Sequence, residues 1–186
     1  ESGERICERL AAGENAVLVT DAGMPAISDP GEDLVALCHE RGISVGVVPG
    51  PSAVITALAI SGLPTGRFAF EGFLSMNRRS RREHLASLAE EPRTLIFYEA
   101  PHKLPATLTD LLAALGDRRI AIVRELTKLH EEVLRTTLAE AAARFAQESP
   151  RGEIVLVVEG AAPKAPAPSA SPEEAAAVGA QLMREG

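Results

Sequence analysis

Residues with the types and spacing to do chemistry sit in short polar segments that follow apolar runs. The segment Asp21-Ala22-Gly23-Met24-Pro25-Ala26-Ile27-Ser28-Asp29-Pro30-Gly31 joins small side chains, a stiffening proline and a glycine that lets another group approach the backbone. Such a loop can offer N–H and C=O groups to a small ligand, and it reads equally as a tight strand-to-helix connection with good caps. Pro49-Gly50-Pro51-Ser52-Ala53 has the same character further on. Phe97-Tyr98-Glu99-Ala100-Pro101-His102-Lys103 sets the single Tyr of the chain beside an acid, a His and a Lys, and Arg124-Glu125-Leu126-Thr127-Lys128-Leu129-His130-Glu131 is denser still in charge. Each marks either a polar site or a surface lattice of ion pairs. Arg78-Arg79-Ser80-Arg81-Arg82 places four arginines in five positions. Guanidinium suits phosphate oxygens, although such a run is often a solvated helix face. His39 lies beside an apolar helical stripe and reads as structural. No Gly-Lys-Ser/Thr follows the glycine turns and no GxGxxG is present, which disfavours a nucleoside triphosphate or a Rossmann-type dinucleotide.

The elements around these segments follow from periodicity. Residues 16–20 and 43–48 are short apolar runs that read as strands buried on both faces. The loop 21–28 follows the first, and Asp29 reads as the cap of a helix with Pro30 at its first position and Glu32 completing a capping box. A further helix is predicted over 53–61. Strand, loop, helix, strand, loop, helix is the rhythm of a parallel sheet, so the two proline-rich turns are expected on one sheet edge, where open α/β sheets bind ligands. Gly62-Leu63-Pro64-Thr65-Gly66 reads as a hinge. Beyond it, strands are expected at 68–73, 94–99, 120–124, 132–136 and 153–159, and helices at 79–90 and 138–147. Leu104, Leu108, Leu111, Leu112 and Leu115 form one helical face stopped by Gly116. These strands are too many for simple parallel alternation, so a mixed sheet is expected. A helix is expected at the chain start, around residues 4–10. The expected organisation is an α/β unit over 1–66 carrying the turns, a second α/β unit over 67–160, and an Ala/Pro-rich linker over 161–171, with one more helix over 172–185.

Composition narrows the function class. The chain has 186 residues, 46% hydrophobic but only 3% aromatic and without Trp, so its core must be built from Ala, Leu, Val and Ile. No apolar run nears the ~20 residues that span a bilayer, and no leader is evident. The two cysteines, Cys7 and Cys38, lack CxxC or Cys/His spacing, which argues against a disulfide scaffold and a metal site and for a cytoplasmic setting. Net charge is −7, unlike a chain built mainly for nucleic acid. It is uneven: residues 1–66 carry 3 basic and 9 acidic side chains, 67–135 carry 12 and 10, and 136–186 carry 4 and 7. Contact with RNA would use a local patch.

Taken in order, the Asp21–Gly31 segment, Val48-Pro49-Gly50-Pro51-Ser52-Ala53, Phe97-Tyr98-Glu99-Ala100-Pro101-His102, Arg124-Glu125-Leu126-Thr127-Lys128 with His130-Glu131, and Gly152-Glu153-Ile154-Val155-Leu156-Val157-Val158-Glu159-Gly160 strongly resemble the bacterial small-subunit ribosomal RNA 2′-O-ribose (cytidine) methyltransferases of the tetrapyrrole methylase superfamily. The resemblance runs from about residue 1 to residue 160. It implies a two-domain tetrapyrrole methylase fold, with a parallel-sheet first domain and a mixed-sheet second one, gripping S-adenosyl-L-methionine between them, usually as a homodimer. By resemblance, Asp21, Ala22, Gly23, Met24, Pro25, Ile27, Ser52 and Ala53 line the cofactor from one side, and Phe97, Tyr98 and Leu126 from the other. The family also has an amino-terminal strand, a Gly-Thr-Pro-Ile-Gly-Asn type loop and an acidic Glu-Asp-Thr-Arg type segment, none of them in this sequence, which is expected to be a piece of a longer protein. Lys103 and Met24 stand where the family usually has Arg and Thr.

The implied reaction is in-line displacement at a methyl group by a ribose hydroxyl, in which positioning supplies ~7–11 kcal/mol and a base assists a weak nucleophile. Glu99 and Glu125 are the candidate bases, unranked; Arg124 and Lys128 are candidate orienters or electrostatic stabilisers. Arg78, Arg79, Arg81 and Arg82 are expected to hold RNA phosphates of the small ribosomal subunit, with a steep salt dependence. No metal and no membrane are expected. Two other possibilities stand beside this: a methylase of a porphyrin or corrin precursor, and an inactive fragment or binding module of the same fold.

Overall fold

The computed structural model describes residues 2–148 and 150–163; most of the expected linker and the helix expected over 172–185 lie outside the described residues. Three helices come first: α1 (Ser2–Ala11), α2 (Glu32–Glu40) and α3 (Ala53–Ser61). A five-stranded unit follows, as β1 (Phe68–Phe73), α4 (Arg78–Ser87), β2 (Thr94–Glu99), a 3-10 turn at Pro101–Lys103, α5 (Leu104–Leu115), β3 (Arg119–Arg124), β4 (Glu132–Thr137), α6 (Leu138–Phe145) and β5 (Ile154–Val158). The sheet order is β1-β2-β5-β3-β4. β1 and β2 are parallel, while β5 inserts antiparallel between β2 and β3, and β4 closes the far edge antiparallel to β3. This is the mixed sheet expected from the strand count.

Both faces of the sheet are covered, which explains why all five residues of β5 are apolar and buried. Alternation sorts the side chains. Leu95, Phe97, Ile120, Ile122, Ile154, Leu156 and Val158 face the leucine stripe of α5, with Leu85 of α4 and Leu138 of α6 in the same cluster. Ile96, Ala121, Val123, Val155 and Val157 face Val54, Ala57 and Leu58 of α3. Thus α3, expected to belong with the first unit, lies on the sheet of the second half. Arg135 of β4 ties down its carboxyl end, donating to the Ser61 and Ile60 carbonyls.

Two sequence expectations are corrected in the first third. Residues 16–20 and 43–48 are not strands, and Val17, Val19, Val47 and Val48 are 86%, 78%, 75% and 86% exposed. An apolar run supplies side chains for a strand but not the ladder partner that satisfies its backbone. Neither run pairs with the other or with the described sheet, so the parallel sheet expected for residues 1–66 is not among the described strands. The second correction concerns Asp29. Gly31, at φ 138°, precedes α2 without a side-chain cap, and Asp29 instead accepts a hydrogen bond from the Thr20 hydroxyl at 2.8 Å. The Cys7 and Cys38 thiols share a hydrogen bond at 3.7 Å between α1 and α2, both buried and not joined in a disulfide; His39 is exposed.

Candidate active site

β1, β2 and β3 all end at one edge of the sheet, because β1 is parallel to β2, and β2 and β3 are each antiparallel to β5. The first proline-rich loop reaches this edge. The Thr20–Asp29 hydrogen bond pins its two ends together. Within it Ala26 and Ser28 hold left-handed backbone, φ 66° and 56°, a conformation that costs non-glycine residues about 1–3 kcal/mol and clusters at functional sites. The second proline-rich turn is its neighbour: a Cβ placed on Gly50 would sit 3.2 Å from the Met24 sulfur, so the two turns are in close contact there. Ser28 in turn lies against Gly72, whose Cβ position is 3.8 Å from the Ser28 Oγ. Gly72 has φ 64° at a register shift in β1, a bulge that leaves Glu71 unpaired on the ladder.

Tyr98 joins these pieces. Its hydroxyl takes the Val54 amide hydrogen bond at the start of α3 and lies within the field of Asp29. Burial, with that negative charge, pushes the phenol up from its ordinary value, the Val54 amide opposing, so Tyr98 stays neutral. Its ring is edge-on to Phe70 at 4.9 Å and tilted against Phe73 at 5.5 Å. The first loop, the start of α3 and the ends of β1 and β2 therefore converge around one aromatic side chain.

The 124–131 segment is held tightly. Glu125 and Thr127 both have left-handed backbone, φ 51° and 63°. Glu125 accepts the Glu153 amide at 2.8 Å and the Lys128 ammonium at 3.1 Å, and Lys128 also reaches the Glu153 carboxylate at 3.0 Å. The Glu153 amide, with Lys128, holds the Glu125 carboxyl below its usual range. The same two carboxylates raise the Lys128 ammonium. A Cβ on Gly152 would overlap the Glu125 carboxylate, so that glycine makes the clasp possible. Leu126 packs beside the α3 side of the sheet. Arg124 donates through Nε and Nη2 to Glu132, at 3.0 and 2.8 Å, and through Nη1 to the Arg151 carbonyl.

Glu99 is 5% exposed. It accepts the Thr107 hydroxyl and the Ala100 amide. Thr107 accepts from Arg81 Nη2 at 2.9 Å, and Arg81 Nε donates to Asp110 at 2.6 Å. Arg81 is thereby a bracket between α4 and α5, unlike its exposed neighbours. Arg79 pairs with Glu83 at 2.8 Å on the surface, and Arg78 and Arg82 are exposed. Asn77 caps α4, accepting the Arg79 and Ser80 amides.

The sequence-predicted residues thus divide. The structure brings Met24, Ser52, Ala53 and Tyr98 to one edge; Asp21, Ala22, Gly23 and Ile27 are exposed there, with Pro25 half-buried. Phe97 is fully buried on the opposite face, in the α5 core, and is not brought to them. Glu99, Arg124, Glu125 and Lys128 are each engaged with protein partners. Sequence reasoning missed Thr20, Gly72 and Phe70, and placed Ser28 in the loop without giving it a role. Their signals, a Thr nine residues before an Asp and a glycine inside a strand, are too common to stand out alone. Among the described residues no cluster of His, Cys, Asp or Glu is arranged to hold a metal ion, and no helix is long and apolar enough to cross a membrane.

Comparison with known proteins agrees with this architecture. Residues 1–142 match the family model of tetrapyrrole (corrin/porphyrin) methylases. The chain is 53% identical over 162 residues to the ribosomal RNA small subunit methyltransferase I of Synechocystis sp., covering 87% of this chain and 58% of that protein. It is 46% identical over 157 residues to the enzyme of the same name from Thermotoga maritima, covering 84% and 70%. It therefore spans little more than half the length of most of these curated relatives. Among solved structures, the methyltransferase CobJ superposes with TM-score 0.63 at 21% identity over 89% of this chain and 73% of that one. Uroporphyrin-III C-methyl transferase from Thermus thermophilus complexed with S-adenyl homocysteine gives 0.55 at 21% over 82% and 70%. At these identities the structures speak for the fold alone.

Proposed function

Since the chain belongs to the tetrapyrrole methylase family, we propose that it acts in S-adenosyl-L-methionine-dependent 2′-O-methylation of a cytidine ribose in small-subunit ribosomal RNA. The observation that carries this is the meeting of both proline-rich turns with Tyr98 at one sheet edge. The residues there fit the cofactor. Ala26 and Ser28 hold the loop in left-handed conformations. Gly50 brings the second turn into contact with the Met24 side chain of the first. Asp21 and Asp29 supply negative potential for a cation, and Tyr98, Phe70 and Phe73 supply apolar ring surface. When bound, the cofactor supplies an electrophilic methyl carbon on a positively charged sulfur.

The chain's contribution on this reading is orientation. Asp21, Ala22, Gly23, Met24, Pro25 and Ile27 cradle the donor with Ser52 and Ala53, and Tyr98 and Leu126 close it from the sheet. Holding hydroxyl and methyl in line is worth ~7–11 kcal/mol. Glu99, Arg124, Glu125 and Lys128 keep the edge in shape. Glu125, with a lowered pKa and a backbone partner, is better suited to clamping the 125–128 turn than to taking a proton. Arg78, Arg79 and Arg82 on exposed α4 suit RNA phosphates, with Arg81 holding that helix to α5. This reading takes residues 1–66 as the unit bearing the cofactor turns and 67–160 as the sheet unit, working as a cytoplasmic homodimer. The names of the curated relatives favour ribosomal RNA over a tetrapyrrole, and so does the exposed arginine helix.

The test is transfer of labelled methyl from S-adenosyl-L-methionine to unmethylated small ribosomal subunits, with uroporphyrinogen as the rival acceptor. Incorporation into the subunit at a ribose supports the proposal; incorporation into the tetrapyrrole alone overturns it. Calorimetric titration with the cofactor should give saturable binding that Gly23→Arg abolishes. Absence of binding by the unsubstituted protein favours a binding module instead.

A further inference from the structure

A cleft lies at the same edge, on the opposite face of the sheet from Tyr98. It has a volume of about 360 Å³ and is lined by Arg124, Glu132, Arg144, Phe145, Glu148, Pro150 and Arg151, a size suited to a nucleotide-scale ligand. Topology puts it there: β3 ends at this edge with Arg124, β4 begins there with Glu132, α6 returns to it at Phe145, and the chain enters β5 from it. β3, whose end supplies Arg124, runs two strand spacings from β2, across β5, or about 10 Å in the plane of the sheet.

The three guanidinium groups have different roles. Arg124 is committed to Glu132 by two donors and braces the turn by a third, to the Arg151 carbonyl. Arg144 is held beside an aromatic ring: its guanidinium carbon stands 5.4 Å from the Phe145 ring centroid. Glu148 accepts its Nε at 3.0 Å, and Glu132 lies 3.5 Å from its Nη2. Its charge is thereby offset by carboxylates, and what it presents to the cleft is a pinned planar surface. Arg151 is exposed and, among the described residues, has no ion-pair partner. A pinned plane beside an uncommitted cation matches a nucleotide, because guanidinium planes stack on unpaired bases and a guanidinium fork grips a phosphodiester.

Resting on the RNA reading above, we propose that this cleft is a nucleotide subsite for single-stranded RNA flanking the methylated position. A base stacks on Arg144, and its phosphate is held by Arg151. Arg78, Arg79 and Arg82 engage the strand separately, at α4.

The two arginines make the proposal separable by experiment. The full chain is titrated against a fluorescein-labelled single-stranded oligoribonucleotide of mixed sequence over a range of salt concentrations, and binding is read by anisotropy. Arg151→Ala removes one phosphate contact, so the slope of log affinity against log salt should fall by about 0.7. Arg144→Lys keeps the charge and both carboxylate partners but loses the plane. It should weaken binding about five- to hundredfold, the range of one stacked base, with the slope unchanged. Matched thermal melts of both variants confirm that they fold. Wild-type affinity in Arg144→Lys, or an unchanged slope in Arg151→Ala, overturns the subsite. The double variant Arg78→Ala/Arg82→Ala keeps the two readings distinct: a slope reduced by about 1.4 in that variant, with both cleft variants unaffected, leaves RNA binding standing and removes only the cleft. No saturable RNA binding by the wild-type chain removes both.

Discussion

Thr107 offers a sharp test of how the edge is held. Its hydroxyl donates to Glu99 and accepts from Arg81, and both Thr107 and Glu99 are almost wholly buried, at 1% and 5% exposure. Thr107→Val keeps the shape and removes only the hydroxyl. Glu99 then retains the Ala100 amide alone, and Arg81 retains Asp110 alone. A hydrogen bond to a charged group contributes about 1.5–3 kcal/mol, and a buried polar atom left without its partner adds to the loss. A destabilisation of about 3 kcal/mol is expected. For a fold of this size that lowers the melting temperature by about 6–12 °C. Thr107→Ser keeps the hydroxyl and gives up one methyl, worth about 0.8 kcal/mol. Thermal melts and urea titrations of the three proteins decide the matter. In the cycle with Arg81→Met, the two substitutions should be strongly non-additive, because they share one network. If Thr107→Val melts within about 2 °C of wild type, or if the pair adds simply, the bracket between α4, α5 and β2 is not what holds this edge.

Other consequences follow from the same geometry. Gly152→Ala forces a side chain into backbone at φ 88°, costing about 1–3 kcal/mol, and drives a methyl into the Glu125 carboxylate; urea unfolding should show the loss shrinking in a Glu125→Ala background. Glu125 titrates below the ordinary carboxylate range, so its clasp is fully present above the unfolded pKa and is lost as pH falls through the lowered folded value. A carboxyl NMR titration should find that low midpoint, and Lys128→Ala should move it upward. Tyr98→Phe removes the acceptor of the Val54 amide and should weaken S-adenosylhomocysteine binding about five- to tenfold by calorimetry, the equivalent of one hydrogen bond. Phe97→Leu should lower the melting temperature and leave that affinity unchanged, because its ring faces the α5 core.

Local signals determined much of this molecule. The leucine stripe of α5 and its stop at Gly116 lie where the spacing predicts, and five apolar residues in β5 announce a strand covered on both faces. The two proline-rich turns and the polar strand ends also stood out, since glycine, proline and clustered charge are legible without neighbours. Tertiary structure alone decided the rest. Residues 16–20 and 43–48 have strand-like composition, yet a strand exists only when another backbone offers it a ladder, and no composition encodes that partner. Phe97 and Tyr98 are adjacent in sequence, but the pleat sends one into the α5 core and the other to the α3 face beside the first loop. Arg81 and Arg82 are adjacent too, and helical rotation buries one against Asp110 while leaving the other in solvent. A one-dimensional pattern specifies which groups are available; which of them face one another depends on pairing and packing between segments far apart in the chain.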